Sequence, residues 1–259
     1  MIVQVDRVAS IEEAIAFRNA GVDLIGVEIG ADRRFSDGRS VDVALAEAIR
    51  RQAAPVQIVG LVEGCFQDDS LADTQARLVQ TLAVQPDYLQ IYRGDFPDEL
   101  KPLVRASGVP VIGDGASLDA EHGTFIDPND PAQFLRDSLS VLADMAPVLV
   151  HVDVATDRAD PWAFLTDEAL AWPEESLQVS HIVAATQALP VLLSLMGLTP
   201  ATIVPYAQAF PGARGFFARL GPDAQGGPPA VSPKRLLAAL LASRASPGGV
   251  GRSAAAGSR

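Results

Sequence analysis

Cysteine is nearly absent from the chain: Cys65 stands alone in 259 residues. That excludes an intrachain disulfide and any multi-cysteine metal site. Cys65 has no histidine beside it in a nucleophile motif and reads as an inert thiol. Lysine is almost as scarce, with only Lys101 and Lys234, so nearly all positive charge is arginine. Basic residues are outnumbered 20 to 32 by acidic ones, a formal charge of −12. A surface of that sign argues against a nucleic-acid partner, because phosphate attraction needs basic charge. No apolar run approaches the ~18–20 residues of a membrane span. The longest, such as Pro147–Val150 and Leu189–Leu195, are strand-sized. Asp6 and Arg7 interrupt the first apolar run, which is unlike a signal segment. A cytoplasmic, soluble protein with neither membrane nor nucleic-acid partner is expected.

Apolar residues make up 48% of the chain, enough for a large core, and an α/β barrel takes roughly 250 residues as one unit. Short β-branched runs alternate with polar turns and amphipathic stretches. Strands are expected at Ile2–Val5, Leu24–Ile29, Val56–Val62, Tyr88–Tyr92, Val109–Ile112, Val148–Val152, Val191–Leu195 and Gly215–Ala218. The first helix opens at Ser10, with Glu13 placed for a capping box, and closes at Gly21. Further helices are expected at Val41–Gln52, Ser70–Leu82, Pro97–Ala106, Pro131–Met145, Ser180–Ala188, Ala201–Phe210 and Ser232–Ser243. Eight strand–helix units fit a single-domain (β/α)8 TIM barrel over residues 1–245 better than a doubly wound sheet. Residues 246–259 are rich in Gly, Ser and Ala and read as a disordered tail. Two long loops, Gly113–Asp130 and Val154–Ser180, leave the carboxyl ends of strands five and six, where barrel enzymes build their sites. Trp162 and Trp172 in the second read as anchors of that loop, and His122 and His181 as surface or packing residues.

Side chains alternate across a strand, so the last inward residue of each barrel strand faces the mouth. Gln4 and Asp6 share parity on strand one, Gly26 and Glu28 on strand two, Leu61 and Glu63 on strand three. Gln90 and Tyr92 pair on strand four, His151 and Asp153 on strand six, Phe217 and Arg219 on strand eight. Polar residues at the carboxyl ends of otherwise apolar strands are the pattern of a barrel mouth.

In the same order along the chain, several blocks resemble the phosphoribosylanthranilate isomerase family. Gln4-Val5-Asp6-Arg7-Val8-Ala9-Ser10-Ile11-Glu12-Glu13-Ala14 is in register with the family's Lys-Ile-Cys-Gly-Leu-Thr-Asn-Leu-Glu-Asp-Ala. Ala20-Gly21-Val22-Asp23-Leu24-Ile25-Gly26-Val27 follows its next strand. Arg33-Arg34-Phe35 is similar to the Ser-Pro-Arg-Tyr segment, Asp87–Asp95 to the Gln-Leu-His-Gly-Asp strand, and Val150–Asp153 to Leu-Leu-Leu-Asp. Pro190–Pro200 and Gly215–Gly221 correspond to the last two strands. The resemblance implies a (β/α)8 barrel that performs an Amadori rearrangement without a cofactor or metal. It places Asp153 on the catalytic acid and Arg34 on a substrate-binding arginine. Gln90, Tyr92, His151, Gly197, Arg219 and Gly221 are expected as further substrate contacts.

The departures bear on chemistry. Asp6 replaces the family's catalytic cysteine and Gln4 its lysine. Met196-Gly197 replaces a phosphate-binding Gly-Gly, and Phe217–Gly221 replaces Asp-Val-Ser-Ser-Gly. Phosphate is held where small residues let backbone N–H groups approach, and Met196 and Leu220 crowd that approach. A carboxylate can still serve as base; the related histidine-pathway isomerase barrel uses an aspartate pair at the ends of strands one and six. The expectation is therefore an isomerase of the aldose–ketose type. Asp6 and Asp153 supply acid and base on an anionic sugar-derived or aminosugar-type molecule, and the strict tryptophan-pathway reaction is weak or absent. Arg34 and Arg219 are expected to hold the anion, although Arg219 can equally pair with an acidic neighbour. Three alternatives stand beside this: Asp6 as a turn cap, a repurposed non-catalytic barrel that binds a small molecule or protein, and a divalent-metal lyase or isomerase with Asp6, Glu28, Glu63, His151 and Asp153 as ligands. Either a monomer or a homodimer is compatible with the sequence.

Overall fold

A computed structural model describes residues 1–30, 38–62, 70–92, 96–119, 130, 133, 136–137, 140–155, 179–194, 203–221 and 232–244. Eight parallel strands close into one barrel in sequence order. They are β1 (Ile2–Asp6), β2 (Leu24–Glu28), β3 (Gln57–Val62), β4 (Tyr88–Tyr92), β5 (Val111–Asp119), β6 (Leu149–Ala155), β7 (Val191–Ser194) and β8 (Gly215–Arg219). The helices are α1 (Ile11–Asn19), α2 (Val43–Ala53), α3 (Leu71–Ala83), α4 (Lys101–Ser107), α5 (Val179–Ala188), α6 (Ile203–Ala209) and α7 (Pro233–Arg244). This is the expected single (β/α)8 barrel.

Local chemistry sets the helix ends. Ser10 caps α1 by accepting from Glu13 N–H, but the reciprocal half of the expected capping box does not form. Glu13 instead accepts from Ala9 N–H at 3.1 Å and from Arg39 Nη2 at 2.5 Å. The complete capping box is at Ser70 and Asp73 on α3. Gly21, at φ +76°, takes the left-handed position expected after α1. The segment expected as one helix from Pro97 is split, a 3-10 turn at Asp98–Leu100 leading into α4 at Lys101. Pro102 suits the first turn of α4, where its missing N–H costs no intrahelical bond.

Three boundaries differ in ways that matter. Strand β5 begins two residues later than expected and runs to Asp119, into the segment read as loop. Its register with β6 shifts between Asp114 and Ala116, so Gly115 forms a bulge that the strand absorbs. Strand β6 likewise continues to Ala155. Of the expected helix Pro131–Met145, Gln133, Arg136 and Asp137 are helical and Ser140–Met145 is a 3-10 turn. The expected tail, residues 246–259, lies outside the described residues.

The core is double. Outward side chains of the strands, including Val3, Val5, Ile25, Val27, Val150, Val152, Phe216 and Ala218, pack against the helices. Around β3, β4 and β5, Val62, Leu89, Ile91 and Val111 do the same. Inside the barrel, Leu24, Val59, Leu61, Ile112, Leu149, Leu192 and Phe217 form an apolar plug. Burial of such side chains, at about 25 cal/mol per Å2 of apolar area, is the main term closing the barrel. Above the plug, toward the carboxyl ends of the strands, the inward residues turn polar.

Candidate active site

Among the described residues, nine buried polar side chains come from the barrel strands: Gln4, Asp6, Glu28, Gln90, Asp114, His151, Asp153, Ser194 and Arg219. Their parity is the one that alternation dictates, since Gln4 pairs with Phe217 and Asp6 with Arg219 across β1 and β8.

Asp6 sits within a net of amides. Gln4 Nε2 donates to Asp6 Oδ1 at 2.7 Å and to Gln90 Oε1 at 2.6 Å, and Gln90 Nε2 donates to Asp6 Oδ2 at 3.3 Å. Both carboxylate oxygens are therefore acceptors, the pattern that suits an ionised group. Gly26 makes the room. A Cβ there would lie 2.3 Å from Asp6 Oδ1 and 3.0 Å from Asp6 Cα. These partners of Asp6 are side-chain amides, one two residues away on its own strand and one on β4.

His151 stacks on Phe217, ring centroids 3.8 Å apart and planes 14° from parallel. Its Nδ1 is 4.0 Å from Asp6 Oδ2, beyond hydrogen-bond reach. Burial, with the nearby Arg219 charge, holds its pKa well below 6.5. The imidazole is thus neutral near pH 7, and neither ring nitrogen has a hydrogen-bond partner.

Arg219 bridges two carboxylates. Its Nη1 donates to Asp153 Oδ2 at 2.8 Å and its Nη2 to Asp114 Oδ2 at 3.1 Å. The guanidinium carbon lies 5.5 Å from the Phe217 ring centroid, within cation–π range. Of the two roles open to Arg219 in the sequence, the structure places it with acidic neighbours. Asp153 keeps its Oδ1 buried and without a hydrogen-bond partner.

A second ion pair closes the strand ends. Arg7 has φ +64°, and its side chain lies buried, Nε donating to Glu28 Oε2 at 2.9 Å and Nη1 to Leu220 O at 3.1 Å. Arg39 Nε in turn donates to Arg7 O at 2.9 Å, and Leu220 N–H to Asp6 O at 3.0 Å. Arg7 thereby joins the carboxyl ends of β1, β2 and β8 around Asp6. Sequence parity missed both Arg7 and Asp114. Asp114 shares parity with inward Ile112, a signal hidden by the flanking Gly113 and Gly115.

Of the residues singled out in the sequence, Asp6, Gln90, His151, Asp153 and Arg219 come together here. Gly221 follows β8 at φ +152°, a conformation that favours glycine. The backbone of Tyr92 ends β4, paired with Asp114. Arg34 and Gly197 lie outside the described residues, as do Glu63, Cys65, His122, Trp162, Trp172 and Met196. Among the described residues no three His, Cys, Asp or Glu side chains are grouped to hold a metal ion, and no helix is long and apolar enough to cross a membrane. Two of the five ligands of the metal alternative are engaged by arginines, Glu28 by Arg7 and Asp153 by Arg219.

No family model matches the chain, and no curated protein matches it by sequence. Solved structures do match in fold. Phosphoribosyl anthranilate isomerase from Thermus thermophilus is 16% identical, with a TM-score of 0.56 over 95% of this chain and 99% of that one. Monomers of the dimeric enzyme from Thermotoga maritima match at 14% identity and TM-score 0.56, over 95% and 100% of the two chains. The Pyrococcus furiosus enzyme matches at 14% identity and TM-score 0.55, over 95% and 100%. Across nearly its whole length, then, the chain has the (β/α)8 barrel fold of the phosphoribosylanthranilate isomerases, with the amide-bound Asp6 and the arginine-bound Asp153 at the carboxyl ends of β1 and β6.

Proposed function

We propose that this chain is a phosphoribosylanthranilate isomerase-like enzyme that interconverts an aldose-type and a ketose-type small molecule by proton transfer between Asp6 and Asp153. The observation carrying this reading is the pair itself: two inward carboxylates on β1 and β6 with different surroundings. Asp6 is held by neutral amide donors, whereas Asp153 has one oxygen on a guanidinium and one without a partner. Groups placed in unlike environments can take opposite proton-transfer roles.

In the reaction, Asp153 gives a proton to the ring oxygen of a cyclic aldosylamine through Oδ1 as the C1–O bond breaks. The nitrogen lone pair forms the C1=N bond. Asp6 then removes the C2 proton, and the C–H electrons form C1=C2 while the C=N electrons return to nitrogen. Loss of the 2-hydroxyl proton and protonation at C1 give the ketone, with no net change in atoms or electrons. One solved neighbour, 14% identical at TM-score 0.56, is a phosphoribosyl anthranilate isomerase in complex with reduced 1-(O-carboxyphenylamino)-1-deoxyribulose 5-phosphate, a molecule of this general type. Neutral His151 beside Asp6 can orient a sugar hydroxyl as donor or acceptor.

The test is solvent exchange. Aldosylamines and 1-amino-1-deoxyketoses incubated with the protein in D2O are followed by NMR for deuterium at C1 and C2. Exchange that disappears in Asp6→Asn and Asp153→Asn supports the reading. Exchange that survives both substitutions, or a complete panel without exchange, overturns it.

A further inference from the structure

We infer that Asp6 fixes the His151 ring with its proton on Nδ1, which leaves Nε2 to accept a hydrogen bond from the 2-hydroxyl of a sugar-derived ligand. This rests on the reading that Asp6 works on C2 of that ligand, and it assigns the group that recognises the hydroxyl on the same carbon. His151 is then a specificity-determining residue, and Asp6 has a second task in positioning it.

His151 is fully buried, and neither of its ring nitrogens has a hydrogen-bond partner. Two unmet polar atoms on one buried ring are costly, because each gives up the bonds that water supplies. A wholly apolar ring would stack on Phe217 without that cost. The strand itself offers apolar residues on either side, Val150 and Val152, which pack outward against the helices. Stacking therefore does not account for a histidine at this inward position. What sets the residue apart is its pair of nitrogens, and both are without partners until a ligand arrives.

The ring's neighbours decide where its proton sits. Nδ1 lies 4.0 Å from Asp6 Oδ2. A shift of about 1 Å brings the two within hydrogen-bond reach, and the offset-tolerant stack on Phe217 permits such a slide. An ionised carboxylate accepts and never donates, so Nδ1 meets Oδ2 favourably only as N–H. Gln90 Nε2 donates to the same oxygen at 3.3 Å, and further donors to Asp6 leave the outcome unchanged, since a carboxylate oxygen takes more than one. Burial and the Arg219 charge keep the ring neutral, with a single proton to place. With that proton on Nδ1, Nε2 is an acceptor. A ligand that satisfies it must bring O–H or N–H. The hydrogen and the hydroxyl of C2 share one carbon, so a ring beside the base that removes the first is beside the second. An acceptor built for a hydroxyl discriminates against ligands that lack it, because it is then left unmet.

Nitrogen NMR reads the tautomer directly. The chain has three histidines, so isotope-labelled histidine gives three ring patterns, and His151→Phe identifies the one that belongs to residue 151. At pH 7 the unaltered protein is expected to show Nδ1 protonated and Nε2 bare, the reverse of the form that free histidine favours in water. Asp6→Ala should move the ring toward the Nε2–H form. Titration with ribose should shift the Nε2 resonance and leave Nδ1 in place, and 2-deoxyribose should bind at least ~10-fold more weakly. Nε2 protonated in the unaltered protein overturns the inference, and that measurement stands even if Asp6→Ala does not fold. So does a tautomer unmoved by Asp6→Ala in a folded protein, or the two sugars acting alike, whether both shift Nε2 or neither does. The tautomer is read without turnover. An Nδ1–H ring that answers to ribose in a chain without deuterium exchange would remove the isomerase reading and leave the hydroxyl recognition. Exchange activity with an Nε2–H ring would do the reverse.

Discussion

Arg219 Nη1 donates to Asp153 Oδ2 at 2.8 Å, which ties the last strand of the barrel to the sixth with β7 lying between them. The second nitrogen reaches Asp114 on β5, so one guanidinium links three strands across the interior. Removing it takes the guanidinium away from two buried carboxylates at once. Arg219→Ala is therefore expected to destabilise the fold by ~3–5 kcal/mol, the usual cost of breaking a buried pair on one side. Urea unfolding should show this as a fall in midpoint. Adding Asp114→Asn and Asp153→Asn to the same chain should recover part of it. A midpoint unchanged in Arg219→Ala would mean that the three groups are not coupled.

Gly26 and Asp6 are coupled by space alone. A methyl at Gly26 lies 2.3 Å from Asp6 Oδ1, so the carboxylate must leave its amide partners for the methyl to fit. Gly26→Ala should cost about 1–3 kcal/mol from overpacking and lower turnover as well. In a double-mutant cycle with Asp6→Ala the stability effects should be less than additive, because the clashing carboxylate is gone. Full additivity would show that the clash is relieved elsewhere.

The inward sets on β1, β4, β6 and β8 were legible because each strand alternates apolar and polar residues up to its end. Gln4, Asp6, Gln90, His151, Asp153 and Arg219 follow from parity alone. Asp114 was not read because Gly113 and Gly115 resemble a turn. Only the pairing with β6 reveals that the strand continues through a bulge at Gly115. Arg7 shows a different limit. Parity places it outward with Val3 and Val5, but φ +64° breaks the alternation and sends the guanidinium to Glu28. Parity also fixes a face without fixing a partner, so it left open whether Arg219 meets a ligand or its neighbours. That depends on distances across an intervening strand, which no local pattern carries.

His151 gives the pH prediction. Burial and Arg219 keep its folded pKa well below its ordinary value near 6.5. The unfolded chain therefore binds a proton that the folded chain refuses, and stability falls as pH drops through about 6.5 toward the lower folded value. Above that range the contribution is fully present. His151→Phe retains a ring to stack on Phe217 but does not titrate. The urea midpoint of the unaltered chain should drop more between pH 7.5 and 5.5 than that of His151→Phe. Parallel midpoints in the two chains would refute the assignment.

The two residues proposed for proton transfer make a sharper demand. Asp6→Asn preserves the size of the side chain and Asp153→Asn keeps an oxygen for Arg219, so circular dichroism should be unchanged in both. On a true substrate each is expected to lower turnover by ~10²–10⁴, the range for loss of a general acid or base. Turnover within a few-fold of the parent in either variant would remove that residue from the mechanism.

The last prediction concerns phosphoribosylanthranilate itself. The solved barrels that share this fold carry that activity in their names, and the sequence departs from the family's pattern at the proposed site. In the sequence resemblance, Asp6 falls where the family has its catalytic cysteine, and Met196-Gly197 where it has a phosphate-binding glycine pair. The arginine nearest to Asp153 is already bound by two carboxylates. A doubly anionic phosphate and a carboxylated ring must then enter a layer that is negative among its described residues. Turnover of phosphoribosylanthranilate, followed by the decay of its fluorescence, is expected to lie well below the usual enzyme range of ~1–10³ s⁻¹. Arg219→Gln, made together with Asp114→Asn, should not restore it, because the pair removes one positive and one negative charge and leaves Asp6 as the base. A rate within that range for the unaltered chain would show that the carboxylate serves as well as the thiolate, and that phosphate is held by residues other than Arg219.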